Sequence, residues 1–140
     1  MKIVQTLLIV IAVFAFAGAA QAQEDPYSGT YSCSGPSKPC GDCDVAPPSG
    51  VVISKVSGNT YQFCPQYDSN ARGTQGSNGC VTMEINNGEG HWSGTNPGEG
   101  VTFSGEVNLK FDGSQLTAEE IGTFSGMCEC ETTLTGICTK

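Results

Sequence analysis

The sequence predicts an all-β domain: about eight antiparallel strands in a meander, closed into a small up-and-down barrel and stabilised by disulfides, with a two-sheet β-sandwich as second choice. Three observations lead there. Beyond the N-terminal segment, apolar residues alternate in short runs and do not recur at helical spacing. Three of these runs are split by Gly-Asn, Asn-Gly or Asp-Gly, the residues that two-residue hairpin loops require. The chain also carries 8 cysteines, an even number in a short sequence.

The first element is a leader. Met1-Lys2 precedes an apolar run from Ile3 to Ala17, interrupted only by Gln5 and Thr6, and small residues then end in Ala20-Gln21-Ala22. This pattern reads as a secretory signal peptide over 1–22, cut after Ala22, with a single disulfide-rich β domain over 23–140. The expected location is extracellular, or a bacterial periplasm, because both use the same signal physics. No membrane association is expected after cleavage. A formal net charge of −8, with 14 Asp plus Glu against 6 Lys plus Arg, makes this an acidic protein and excludes nucleic acid as a partner.

A strand near 27–33 comes next, followed by three hairpins. The stretch VVISKVSGNTYQF turns at Gly58-Asn59, which sets Val56 opposite Tyr61 and Ser54 opposite Phe63. CVTMEINNGEGHWSG turns at Asn87-Gly88, placing Met83 opposite Trp92 with Val81 and Ile85 on the same face. VTFSGEVNLKFDGSQLTA turns at Asp112-Gly113, pairing Leu109 with Leu116 and Val107 with Ala118. A last strand near 123–132 completes the meander. The recurring Tyr27-Ser-Gly, Trp92-Ser-Gly, Phe103-Ser-Gly and Phe124-Ser-Gly read as aromatic packing beside glycines that let strands bend.

Closing the meander brings its first and last strands together. Cys33, Cys40 and Cys43 near one end then bridge to Cys128, Cys130 and Cys138 near the other, with the pairing inside that set left open. Cys64 and Cys80 pair across the base of the intervening loop.

The candidate chemistry is mostly exclusion. Cys40-Gly-Asp-Cys43 lacks the helix start that activates a redox thiolate; Asp42 and Asp44 oppose one, and Pro47-Pro48 follow. A zinc site built from Cys40, Cys43, Cys128 and Cys130 has unsuited spacing and competes with disulfide formation. His91, the only histidine, falls on the outward face opposite Glu84 and has no marked nucleophile. Glu119 and Glu120 point to opposite sides of a strand, which makes them a poor pair for hydrolysis. Asp42, Asp44, Glu89 and Glu99 lie in or beside acidic turns but form no calcium loop. No metal and no cofactor is expected.

The sequence therefore points to a non-enzymatic binding or structural module. Met83, Trp92, Phe103, Val107 and Phe111 form its core or ligand face, and the ligand form of this expectation holds a small apolar molecule inside the barrel. The partner is an unidentified small molecule or extracellular protein. Two alternatives come from other classes: a protease inhibitor or defence protein presenting Arg72 on the Cys64–Cys80 loop, and a carboxylate-based hydrolase.

Overall fold

The computed structural model describes residues 25–67, 79–98 and 100–140. The signal peptide expected over 1–22 and the inhibitory residue Arg72 lie outside the described residues. No described residue is helical. Among the described residues there are ten strands: β1 Gly29–Ser34, β2 Lys38–Cys40, β3 Cys43–Val45, β4 Gly50–Ser57, β5 Thr60–Gln66, β6 Val81–Asn86, β7 Glu89–Pro97, β8 Val101–Asp112, β9 Gln115–Gly126 and β10 Cys130–Thr139. Eight of them form a closed antiparallel barrel in the order β1-β10-β9-β8-β7-β6-β5-β4, and β2 and β3 form a separate hairpin. Closure leaves no free sheet edge along the ring.

Turn chemistry sets the registers, and it departs from simple counting in two places. At the β4–β5 turn Ser57 pairs with Thr60 as expected, but a bulge at Val56 makes Lys55 the partner of Tyr61 and Ile53 that of Phe63. The extra residue turns Val51 and Ile53 into the core and leaves Val56 60% exposed. At the β8–β9 turn Asp112 pairs with Gln115, so Leu109 faces Ala118 and Val107 faces Glu120. The loop is Gly113-Ser114 because Gly113 takes the positive φ of 60° that a first loop position needs. A slip of two keeps every side chain on its expected face. The Asn87-Gly88 turn holds, with Asn86 opposite Glu89 and Ile85 opposite Gly90, but the β6–β7 ladder stops there, short of the expected Met83–Trp92 pair.

The final strand is a correction. β9 continues to Gly126 and β10 begins only at Cys130, so the strand expected over 123–132 spans a turn. The β2–β3 hairpin is the other unexpected element: Cys40 pairs with Cys43 across its turn, which makes the Cys-x-x-Cys a hairpin tip.

All eight cysteines are bridged: Cys33–Cys138, Cys40–Cys130, Cys43–Cys128 and Cys64–Cys80. Three bridges join the N-terminal set to the C-terminal set, as closure requires. Cys33–Cys138 locks the β1–β10 seam itself, where the two residues are also cross-strand partners. The other two fasten the β2–β3 hairpin to the start of β10 and the turn before it, with Cys40, Val45, Pro47 and Pro48 buried. Four disulfides are consistent with an oxidising compartment.

The barrel interior is packed with side chains. Ile53, Phe63, Met83, Leu109, Leu116 and Leu134 are all buried. At the end where the three hairpins turn, Tyr27 stacks against Phe111 at 4.8 Å and edge-on to Tyr61 at 5.6 Å. Towards the other end, Phe103 and Phe124 lie 5.2 Å apart. Between these two aromatic groups the backbones come close at the Gly105–Gly122 pair, where an added Cβ on Gly105 would lie 2.1 Å from the Ile121 carbonyl oxygen.

Candidate functional site

The five residues expected as a core or ligand face do not share one environment. Met83, Phe103 and Val107 are buried, whereas Trp92 and Phe111 are half-buried at the margin of the core. Phe111 belongs to the aromatic cluster at the hairpin end. Trp92 faces Val107 on β8 and lies over Gly94, whose added Cβ would come within 2.9 Å of the indole ring. Of the four aromatic-Ser-Gly repeats, this is the one in which the ring covers its own glycine; Gly105 and Gly126 instead meet neighbouring backbone.

Two features bring polar chemistry together. The first is a groove of about 610 Å³ on the outer wall, crossing β6 to β9. Its walls follow from strand alternation: Glu89, Lys110 and Thr117 form one cross-strand row, and His91, Asn108 and Glu119 form the next. Glu84 and Asn86 add the β6 side. His91 is thus outward, as expected, but its ring hydrogen bonds with the Asn108 side chain, Nδ1 to Oδ1 at 2.7 Å, and not with a carboxylate. Glu84, Glu89 and Glu119 have no ion-pair partner among the described residues. Lys110 is likewise in no ion pair among the described residues, although it stands directly across from Glu89.

The second feature is inside. Alternation sends Glu119 out to the groove and Glu120 into the lumen, where it is 4% exposed. Its Oε1 accepts a hydrogen bond of 2.9 Å from the Tyr67 hydroxyl, and its Oε2 is buried without a partner. Burial pushes the carboxyl up to about 7, while the Tyr67 hydrogen bond pulls the other way. Sequence reasoning separated the two glutamates without seeing that one was interior. The signal lay in the phase of β9, where Leu116, Ala118, Glu120 and Phe124 share one face.

A third carboxylate, Asp25, has the opposite character. Burial raises its pKa, but hydrogen bonds from Ser28 Oγ, Tyr61 OH and the Tyr27 amide, with the charge of Lys55, outweigh burial and hold it below the usual range. It ties the N-terminal segment to the hairpin end of the barrel. Asp42 lies in the β2–β3 turn and Asp44 on β3, and Glu99 lies outside the described residues. Among the described residues, no three His, Cys, Asp or Glu side chains gather as metal ligands. The chain matches no protein-family model, no curated protein and no solved structure.

Proposed function

We propose that this chain is a secreted, non-enzymatic binding module that takes a cationic ligand, a polyamine or a basic peptide segment, in the outer-wall groove over β6 to β9. The observation that carries this reading is that Glu84, Glu89 and Glu119, none in an ion pair among the described residues, line one concave surface of an acidic protein. Three carboxylates against the single ammonium of Lys110 leave the described lining with a net negative charge, and such a surface attracts cations over several ångströms. The His91–Asn108 pair adds a polar contact beside these carboxylates.

Packing supports the outer wall over the lumen as the binding surface. Aromatic and aliphatic side chains occupy the interior from the Tyr27–Phe111 cluster to the Phe103–Phe124 pair, and an apolar ligand there would have to displace them. The leader sequence and four bridges support an extracellular or periplasmic destination. The non-enzymatic part rests on His91 bonding to an amide and not to a nucleophile, and on every cysteine being bridged.

Calorimetric titration of the oxidised protein with spermine and with a trilysine peptide tests this. Micromolar to millimolar binding that weakens with salt, and that Glu84→Gln with Glu119→Gln reduces at least about tenfold, is the expected result. No heat with either cation, alongside a Trp92 fluorescence response to apolar dyes, would move the site into the lumen.

A further inference from the structure

Glu120 projects inward from β9, and Tyr67 follows β5, which stands on the opposite side of the eight-strand ring. Their hydrogen bond therefore crosses the barrel. Strand neighbours of Glu120 are apolar: Val107 across on β8 and Leu134 across on β10. The ionisable residues nearby on these strands, Glu106, Lys110, Glu119 and Glu131, alternate outward. On β1 and β5 the inward titratable groups are Tyr31 and Tyr61, both pushed up to about 12, first by burial and then by Asp25, so they stay neutral. On β4, Lys55 pairs with Tyr61 at the hairpin end and its ammonium lies over that ring, 5.9 Å from the centroid, while Ile53, Met83 and Trp92 on β4, β6 and β7 do not ionise. No cation faces Glu120 from any of these elements.

We propose that Glu120 and Tyr67 form a proton-controlled strut across the barrel, closed while the carboxyl is neutral and released when it ionises, so that water enters the interior beside β9 and the end of β5. The reason is the buried Oε2. A neutral carboxyl tolerates one unmet oxygen at modest cost, whereas a carboxylate in an apolar lumen needs several donors and Tyr67 supplies one. Hydration is the remaining source, and it requires the pair to part. Because burial raises the carboxyl to about 7, release falls across neutral pH.

The test combines amide hydrogen exchange and carbon-13 titration of the Glu120 carboxyl on the oxidised protein, with Glu120→Gln as the variant. After correction for intrinsic exchange rates, the opening equilibrium at Gln66, Tyr67 and residues 119–121 is expected to rise about tenfold per pH unit from about pH 5 to about pH 7 and then level off. In Glu120→Gln it is expected to stay flat. A rise of the same size in the variant would overturn the proposal, as would a carboxyl titrating in the ordinary range. A carboxyl that titrates near 7 with unchanged exchange would also overturn it, because the charge would then be held in place without opening. Should the variant fail to fold, coincidence of the wild-type titration with the exchange midpoint supports the strut, and separation of the two refutes it.

Discussion

Gly105 and Gly122 illustrate how little room some positions leave. Cβ atoms added at these residues would lie 2.1 Å from the Ile121 carbonyl oxygen and 2.3 Å from the Ser104 carbonyl oxygen, so backbone would have to move. Gly105→Ala is accordingly expected to cost about 2–3 kcal/mol or more, against a few tenths for a substitution at an open surface site, by guanidinium unfolding. Tyr67 makes a subtler case. Tyr67→Phe keeps the ring but removes the donor to Glu120, leaving both carboxyl oxygens unmet, and is expected to cost about 1–3 kcal/mol. An unchanged unfolding midpoint would mean that water already serves the carboxyl.

Among the elements, the bridges divide by what they close. Cys33–Cys138 spans a sequence separation of 105 and the barrel seam, whereas Cys64–Cys80 spans 16. With the other bridges intact, however, Cys40–Cys130 already shortens the loop that Cys33–Cys138 closes to the segments 33–40 and 130–138, so replacing either pair by serine should cost about 3 kcal/mol from chain entropy in denaturant melts. A much larger loss at the seam pair would mean that the bridge holds native barrel closure beyond its effect on the unfolded chain. Much of this layout was legible in the sequence. Asn-Gly, Gly-Asn and Asp-Gly mark the three hairpins because few other residues tolerate positive φ, and closure dictates which two sets of cysteines meet but not the pairing between them. The Val56 bulge was not legible, since an extra residue leaves no compositional mark and only tertiary packing selects it. The last strand was misplaced for a related reason. Inward positions of β10 are filled by Cys130, Thr132, Leu134, Gly136 and Cys138, a face too weakly apolar to show alternation. The outer groove escaped notice altogether, because it depends on which outward rows of four strands come side by side.

For the whole molecule, two carboxylates with opposite shifts bracket its stability. Glu120 has its folded pKa raised, to about 7 from an ordinary 4.5, so its contribution is full below about 4.5 and lost as pH rises through about 7. Asp25 has its folded pKa lowered from 3.8, so its contribution is present above that value and lost as pH falls. Stability should therefore peak in mildly acid solution. Thermal melts across pH should find Glu120 worth up to about 3 kcal/mol between the two limbs, with Glu120→Gln flattening the alkaline side and Asp25→Asn the acid side. A maximum well above neutral pH would contradict both assignments. The same packing that buries Glu120 leaves the outer wall as the open chemical surface, and there Glu84, Glu89 and Glu119 face solvent together.

Nitrogen-15 NMR of the oxidised protein titrated with trilysine tests that surface most directly. Shifts clustered at Glu84, Glu89, His91, Asn108 and Glu119, with Phe63 and Leu134 unmoved, are the expected result. Shifts centred on the buried face, or none at any peptide concentration, would contradict a cation site on the outer wall.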